Sequence, residues 1–591
     1  MAGTQATCKS SLPITFTCPR ADFRRASFGA DWGDYISFSH RLKERADAAG
    51  QDLLVIDTGD RVEGNGLYDA SHPKGKYDMA IFDSQHVDLL CSGNHELYKR
   101  ISVSFEYNTT VPHFKDHYIA SNLDVIDPKT QQRQPLSHRF KKFTTKNQGI
   151  RVLALGFLFD FTNNADNVIV QKVEDTIKEG WFSDAMRDRD VDLFVVIGHV
   201  GLDALETKAI FRAIRESHWD TPIHFFGGHT HIRDYAKFDK KAFGLQSGRY
   251  LETIGFASID GLRTAGKKPA SKHLVRASPI PTFARRYIDN NLFSFHHHAG
   301  LNESNFATGH GLNVSARIRG ARQKLNLDQL YGCAPKTFWT NRAEYPSESS
   351  VFTLLQDHII PDKVTRSDRK DVPRIVITNT GAIRFDIFKG TFTTDTMYTV
   401  SPFTSQLRFV RDVPWKIAQL LPKILNQEVP QLWPTDLALE WQSRAPVKQD
   451  LNAHKTNLRT EAPYQNDQMP LEHWTGQKDD DLTPGYTTHD ASGSDGDDTI
   501  HSPIRFYKVP NVIDSRLAFP PEEDDDKPES VDVVYNEFLE RYILLALKFL
   551  GSDYNKDSTE SYIHNKTMTA LLGEWVKENW KCEQEVGDGE L

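Results

Sequence analysis

DLLVIDTGD, residues 52–60, decides the fold: an apolar run of strand length breaks off at a glycine followed by an acid. The same design recurs in HVDLLCSGNHE (86–96), IRVLALGFLFD (150–160), VDLFVVIGHVG (191–201) and TPIHFFGGHTH (221–231). Between these runs lie stretches with apolar residues at helical spacing, from Asp34 to Ala49 and from Leu202 to Ser217. Strands alternating with helices predict a layered α/β domain. In such domains ligands gather where the strands end, which is where the polar residues of these runs stand.

Those polar residues are of one chemical kind. In order they are Asp60, Asn94 with His95, His199, and His229 with His231. Carboxylate, amide oxygen and imidazole together suit divalent cations of intermediate hardness, such as zinc, manganese or iron. Taken singly, each has a plainer reading: Gly-Asp as a turn, Asn-His as a loop cap, a lone histidine as a hydrogen-bonded core residue. Four runs ending this way in one stretch point instead to convergence on a single sheet edge. In GGHTH, an extended backbone would turn both histidines to the same side.

The ordered series GD, GNHE, GH, GHTH resembles the calcineurin-like metallophosphoesterases. That resemblance implies a four-layer α/β/β/α sandwich over residues 28–290 and two divalent metal ions. Carried over residue by residue, Asp60 bridges the metals. Asn94, His199 and His229 complete one metal's ligands, and His231 serves the other. His95 is the catalytic histidine that stabilises the phosphate or leaving group in the transition state. Glu96 is read either as a residue that orients its loop or as a surface carboxylate. The family's opening Asp-x-His, which supplies two further ligands, is missing. Its expected place follows the strand-like Leu12–Cys18, where the sequence runs CPRADFRR and Asp22 stands among Arg20, Arg24 and Arg25. Natural loss and a misassigned N-terminus both explain this. For the chain as written, the expectation is one retained metal and slow or no hydrolysis.

Farther along, NTGAIRFDIFKGTFTTDTMYTVSPFTSQL (379–407) resembles the substrate-binding region of 5'-nucleotidase C-terminal domains. On that likeness Arg384 holds the substrate's polar groups, Asn379 and Gly381 shape the loop, and Phe403 stacks on a nucleobase. The alternatives are a surface ion pair for Arg384 and core packing for Phe403. Ser405 replaces the asparagine of the family's PFxN pattern. Together with GADWGDYISF, DTGDRVEGNGL, GGHTHIRD and LQSGRYLET, the likeness is to fungal secreted or vacuolar proteins of this group. The expected organisation is an irregular stretch at 1–27, the metallophosphoesterase domain at 28–290, an interdomain segment at 291–345 with a helix from Asn313 to Leu330, and a second α/β domain at 346–591. Within the last, acidic loops near 478–498 and 520–530 are too polar to order themselves.

Length and composition agree with this division. A chain of 591 residues exceeds one ordinary core, and 39% hydrophobic, 26% charged residues with a net charge of −9 do not favour nucleic-acid backbones. No run of about 18 apolar residues is present, so no membrane span is expected. The first twenty residues lack the basic start and apolar run of a secretory signal, which leaves a cytoplasmic location as the alternative to the secreted or vacuolar one. Of five cysteines, Cys333 and Cys582 are candidates for one long-range bridge, with unpaired thiols the alternative. The expected function is a metal-dependent phosphate-ester hydrolase, foremost a 5'-nucleotidase acting on nucleoside monophosphates through a metal-activated water. A catalytically inactive nucleotide- or metal-binding homologue, and a UDP-sugar hydrolase or phosphodiesterase, are the alternatives.

Overall fold

The computed structural model describes residues 3–8, 29–262, 280–403, 405–426, 507–520, 527–564 and 566–582. The chain divides into two compact units, Met1–Leu325 with Pro484–Ser502 and Asn326–Thr483 with Pro503–Leu591.

The strands of the first unit are, in chain order, β1 (Gly3–Cys8), β2 (Asp52–Asp57), β3 (Leu89–Leu90), β4 (Leu123–Ile126), β5 (Arg133–Pro135), β6 (Phe140–Thr144) and β7 (Arg151–Leu158). They continue with β8 (Val168–Val170), β9 (Leu193–His199), β10 (Ile223–Phe226), β11 (Arg233–Asp239), β12 (Ala242–Ser247), β13 (Thr253–Asp260) and β14 (Thr282–Asp289). Two large sheets result, ordered β14-β13-β1-β2-β3 and β11-β12-β10-β9-β7-β6. Ile56, Leu89, Ala257 and Ile259 of the first sheet share one core with Val152, Ala154, Val195, Ile197 and Phe226 of the second. The outer face of the second sheet, Leu153, Leu155, Phe194 and Val196, buries helix residues Phe182, Met186, Ile210 and Ile214. Strands covered on both faces must be apolar throughout, and β9 is buried from end to end. On the first sheet's outer side, the helix Trp32–Ala48 packs along β2 and meets the helices Leu292–Ala299 and Gly309–Lys324. Its crossing with the last is close: a Cβ on Gly33 would lie 2.2 Å from the Gly311 carbonyl oxygen. The four-layer expectation holds.

Three boundaries differ from the reading of the sequence. The strand placed between β2 and β13 is Gly3–Cys8, so those six residues are not irregular; Leu12–Cys18 and Asp22 lie outside the described residues. The helix read as Asn313–Leu330 runs Gly309–Lys324, because Thr308 caps it by accepting from the Gly311 amide. Leu330 instead opens a strand. The 291–345 segment is therefore no linker: its helices belong to the first unit, and the second begins at Asn326.

The second unit adds β15 (Leu330–Ala334), β16 (Arg374–Asn379), β17 (Gly390–Thr393), β18 (Leu407–Pro414), β19 (Val512–Leu517), β20 (Ser530–Asn536) and β21 (Thr559–Ser561). Its main sheet is ordered β19-β16-β20-β18-β21. Alternation sorts the side chains: Ile375, Ile377, Val533 and Tyr535 face a core with the helix Glu540–Phe549, while Val376 and Val534 face one with the helix Met568–Asn579. The helix Glu540–Phe549 buries Tyr542, Ile543, Ala546 and Leu547. A disulfide joins Cys333 of β15 to Cys582. The acidic loop near 478–498 and residues 521–526 of the second lie outside the described residues. No helix among the described residues is long and apolar enough to cross a membrane.

Candidate metal centre

The parallel strands β2, β3, β9 and β10 end where the functional residues begin. Asp60 follows β2, Asn94 and His95 follow β3, His199 is the last residue of β9, and His229 lies three residues beyond β10. Asp60, His199 and His229 come together, each offering a ligand atom within 4.8 Å of the others. His199 Nε2 lies 2.9 Å from Asp60 Oδ2, while its Nδ1 lies 2.9 Å from the carbonyl oxygen of Thr58. With Nδ1–H donating to that carbonyl, the Nε2 lone pair faces a carboxylate oxygen. Two acceptors this close need a proton or a cation between them.

Asn94 and His95 share the loop that closes this site. The His95 amide donates to Asp60 Oδ1 at 3.0 Å. Asn94 is 3% exposed, and its Oδ1 accepts no hydrogen bond from the described residues. A carboxylate and two imidazoles gathered together are a donor set for a borderline divalent cation, and a buried amide oxygen without a hydrogen bond on the loop bonded to Asp60 suits the same role, so the residues present fit a metal. Burial alone would raise the Asp60 carboxyl, yet the neighbouring imidazoles of His199 and then His95 hold it well below the usual carboxylate range.

His231 departs from expectation in placement. The GHTH segment is not extended: His229 and His231 have φ of 74° and 63°, as Asp60 has 62° and Glu63 67°. Alternation along an extended strand therefore does not set the directions of these two side chains. The His231 ring instead meets Tyr250, at 5.6 Å between centroids. Left-handed conformations in non-glycine residues cost energy and cluster where function over-determines the backbone.

The two loops that carry Asp60 and Asn94 are bound by residues the sequence reading did not single out or left open. Glu96, buried rather than on the surface, accepts from the amides of Gly93 (2.8 Å) and Asp60 (3.1 Å) and from that of Arg61. The fit is tight, since a Cβ on Gly93 would lie 2.1 Å from Asp60 Oδ1. Beneath them Arg61 donates to Asp57 Oδ1 and the Cys91 carbonyl, each at 2.8 Å, and to Glu106, which also accepts from Tyr118 at 2.6 Å. Glu63 Oε2 lies 3.0 Å from His95 Nδ1, and its Oε1 accepts from Lys99 at 2.6 Å. Burial opposes ionisation of Glu63, but the His95 hydrogen bond and the Lys99 charge hold its pKa at about 2. An ionised Glu63 accepts from His95 Nδ1–H and so fixes the orientation of the ring. A single charged residue carries no periodicity, so only the density of polar residues in DRVEGN hinted at Glu63.

In the second unit, Gly381 lies in the short turn Thr380–Ala382 that follows β16. Asn379 Oδ1 accepts from Asn536 at 2.6 Å. The Arg384 guanidinium lies over the half-buried Phe403 ring, 5.0 Å from its centroid. Thr569 Oγ1 donates to the Phe403 carbonyl at 3.2 Å. Arg384 and Phe403 thus form one contact.

Residues 337–544 match the family model described as NAD nucleotidase, C-terminal domain. The chain is 35% identical to an uncharacterised protein of Schizosaccharomyces pombe, over 94% of this chain and 86% of that one. It is 33% identical to a secreted protein of Arthroderma benhamiae, over 94% of this chain and 88% of that one. Among solved structures, the 5'-nucleotidase from Candida albicans is similar with a TM-score of 0.79 and 34% identity, covering 98% of each chain.

Proposed function

Because this chain belongs to the 5'-nucleotidase family of the calcineurin-like metallophosphoesterases, we propose that it releases phosphate from nucleoside monophosphates with a divalent metal ion. The observation that carries this reading is the gathering of Asp60, His199 and His229, with the buried, unbonded Oδ1 of Asn94 on the loop whose next amide bonds Asp60. These four residues would hold the cation, with His231 the candidate ligand for a second. When bound, such a cation supplies neutralising charge for the phosphoryl oxygens and lowers the pKa of a water molecule.

The protein's own residues supply the rest. Glu63 orients His95, whose Nε2–H, when present, donates to the phosphate or leaving oxygen as charge develops there. The Glu96 bonds fix Asp60 and Asn94 before substrate arrives. In the second unit, Arg384 and Phe403 are the proposed contacts for the nucleoside. A weakened form of this activity is the second reading. It is favoured by the missing Asp-x-His, and it implies one tightly held metal per chain.

A secreted or vacuolar location is part of the proposal, supported by the Cys333–Cys582 disulfide and the secreted relative. Phosphate release from AMP with added Mn2+ or Co2+, abolished by a chelator and by Asp60→Ala, is the expected result. Elemental analysis alongside should find one metal per chain. Chelator-insensitive release would remove the role of the metal, and no release from AMP, UDP-sugars or simple esters would remove the enzyme reading.

A further inference from the structure

Asn94 carries a donor and an acceptor on one planar amide, and only the acceptor can bind a cation. Which end faces the metal is set by what the other end meets. Here Nδ2 donates to the Tyr98 hydroxyl at 2.9 Å, across the single turn His95–Leu97, while Oδ1 is left without a hydrogen bond from the described residues. The Tyr98 ring is itself held edge-on between His95 and Phe161, at 5.2 Å from each. Phe161 in turn meets Phe159, which stacks on His229 at 4.2 Å. Aromatic contacts therefore run without a break from the catalytic histidine to a metal ligand, with Tyr98 the member that also holds the amide.

We propose that Tyr98 is a positioning residue for the metal centre: its hydroxyl accepts the Asn94 N–H and so presents the amide oxygen to the cation, while its ring braces His95. The proposal rests on the assignment of Asn94 as a ligand. If the hydroxyl is removed, the ligating orientation leaves a buried NH2 group without an acceptor, and the competing orientation presents that group to the cation. Loss of a partner to a metal ligand weakens binding by about 10–100-fold.

The test is the affinity of the full chain for Mn2+, measured by calorimetry. Tyr98→Phe keeps the ring and its packing, so the urea midpoint without metal should stay near that of the parent, while Mn2+ affinity falls about 10-fold or more. Asn94→Ala provides the control background, because it removes the amide whose N–H the Tyr98 hydroxyl accepts. In that background Tyr98→Phe should change Mn2+ affinity less than about threefold, as expected when the interacting pair has already been broken. Equal losses in both backgrounds, or none in the parent, would overturn the role of Tyr98. Asn94→Ala also separates the two assignments: strong loss there with no effect of Tyr98→Phe in the parent removes Tyr98 alone. Unchanged affinity in Asn94→Ala, or no Mn2+ binding by the parent, removes both.

Discussion

Arg61 is wholly buried, with carboxylates of Asp57, Glu96 and Glu106 around its guanidinium and the rings of Phe82 and Tyr118 against it. Charges so placed stay in the interior only because they satisfy one another, and removing one partner exposes the rest to full desolvation. Arg61→Met should therefore lower the stability of the first unit by about 3–5 kcal/mol, read from urea unfolding. A shift under about 1 kcal/mol would show that the acids simply take up protons instead. The candidate ligands above this network were legible because each ends an apolar run, a pattern that hydrophobicity alone reveals. Glu63, Tyr98 and Lys99 were not. They act through hydrogen bonds across one turn or between loops, and a single polar residue in a loop carries no period to betray its partner.

At the level of the strand, β10 carries a histidine with no catalytic assignment. His224 is buried among apolar side chains, stacked at 4.4 Å on Phe226, and burial pushes its imidazole down to about 3 from an ordinary 6.5. A depressed histidine contributes its full stability above the unfolded value and loses it as pH falls. Between about 6.5 and 3 the unfolded chain takes up a proton that the native chain refuses, at about 1.4 kcal/mol per pH unit. His224→Phe should remove that part of the slope, seen as urea midpoints that decline less steeply from pH 6.5 to 4.5; an unchanged slope would refute the assignment. Strands β2, β3, β7, β9 and β10 and the helices Trp32–Ala48 and Leu205–Ser217 could be located from sequence because their apolar runs and periods are clear. The left-handed turn at His229 and His231 could not, since hydrophobicity does not encode the sign of φ. Two glycines ahead of it were the available hint. The start of the helix at Gly309 was likewise hidden by Gly309 and Gly311, poor helix formers, the second of them kept where the Gly33 backbone comes close.

For the whole molecule, the legible part was the division into two α/β units. The exact boundary was not, because helices Leu292–Ala299 and Gly309–Lys324 pack back on the first unit after its last strand. The second unit is tied by a disulfide across 249 residues of sequence. Closing so long a loop restricts the unfolded chain, and its reduction should destabilise the second unit by about 2–5 kcal/mol while leaving the unfolding of the first in place. Thermal scans with and without reductant would show one transition moving; two moving together, or neither, would contradict this. Glu96 bears on how such molecules are recognised at all. Its carboxylate secures three backbone amides, so a descendant that abandoned catalysis would still be selected to retain it simply to keep two loops folded. The GNHE signature can thus outlive the chemistry it advertises, as a fossil of architecture, and counting metals is a sounder census of working enzymes than counting motifs.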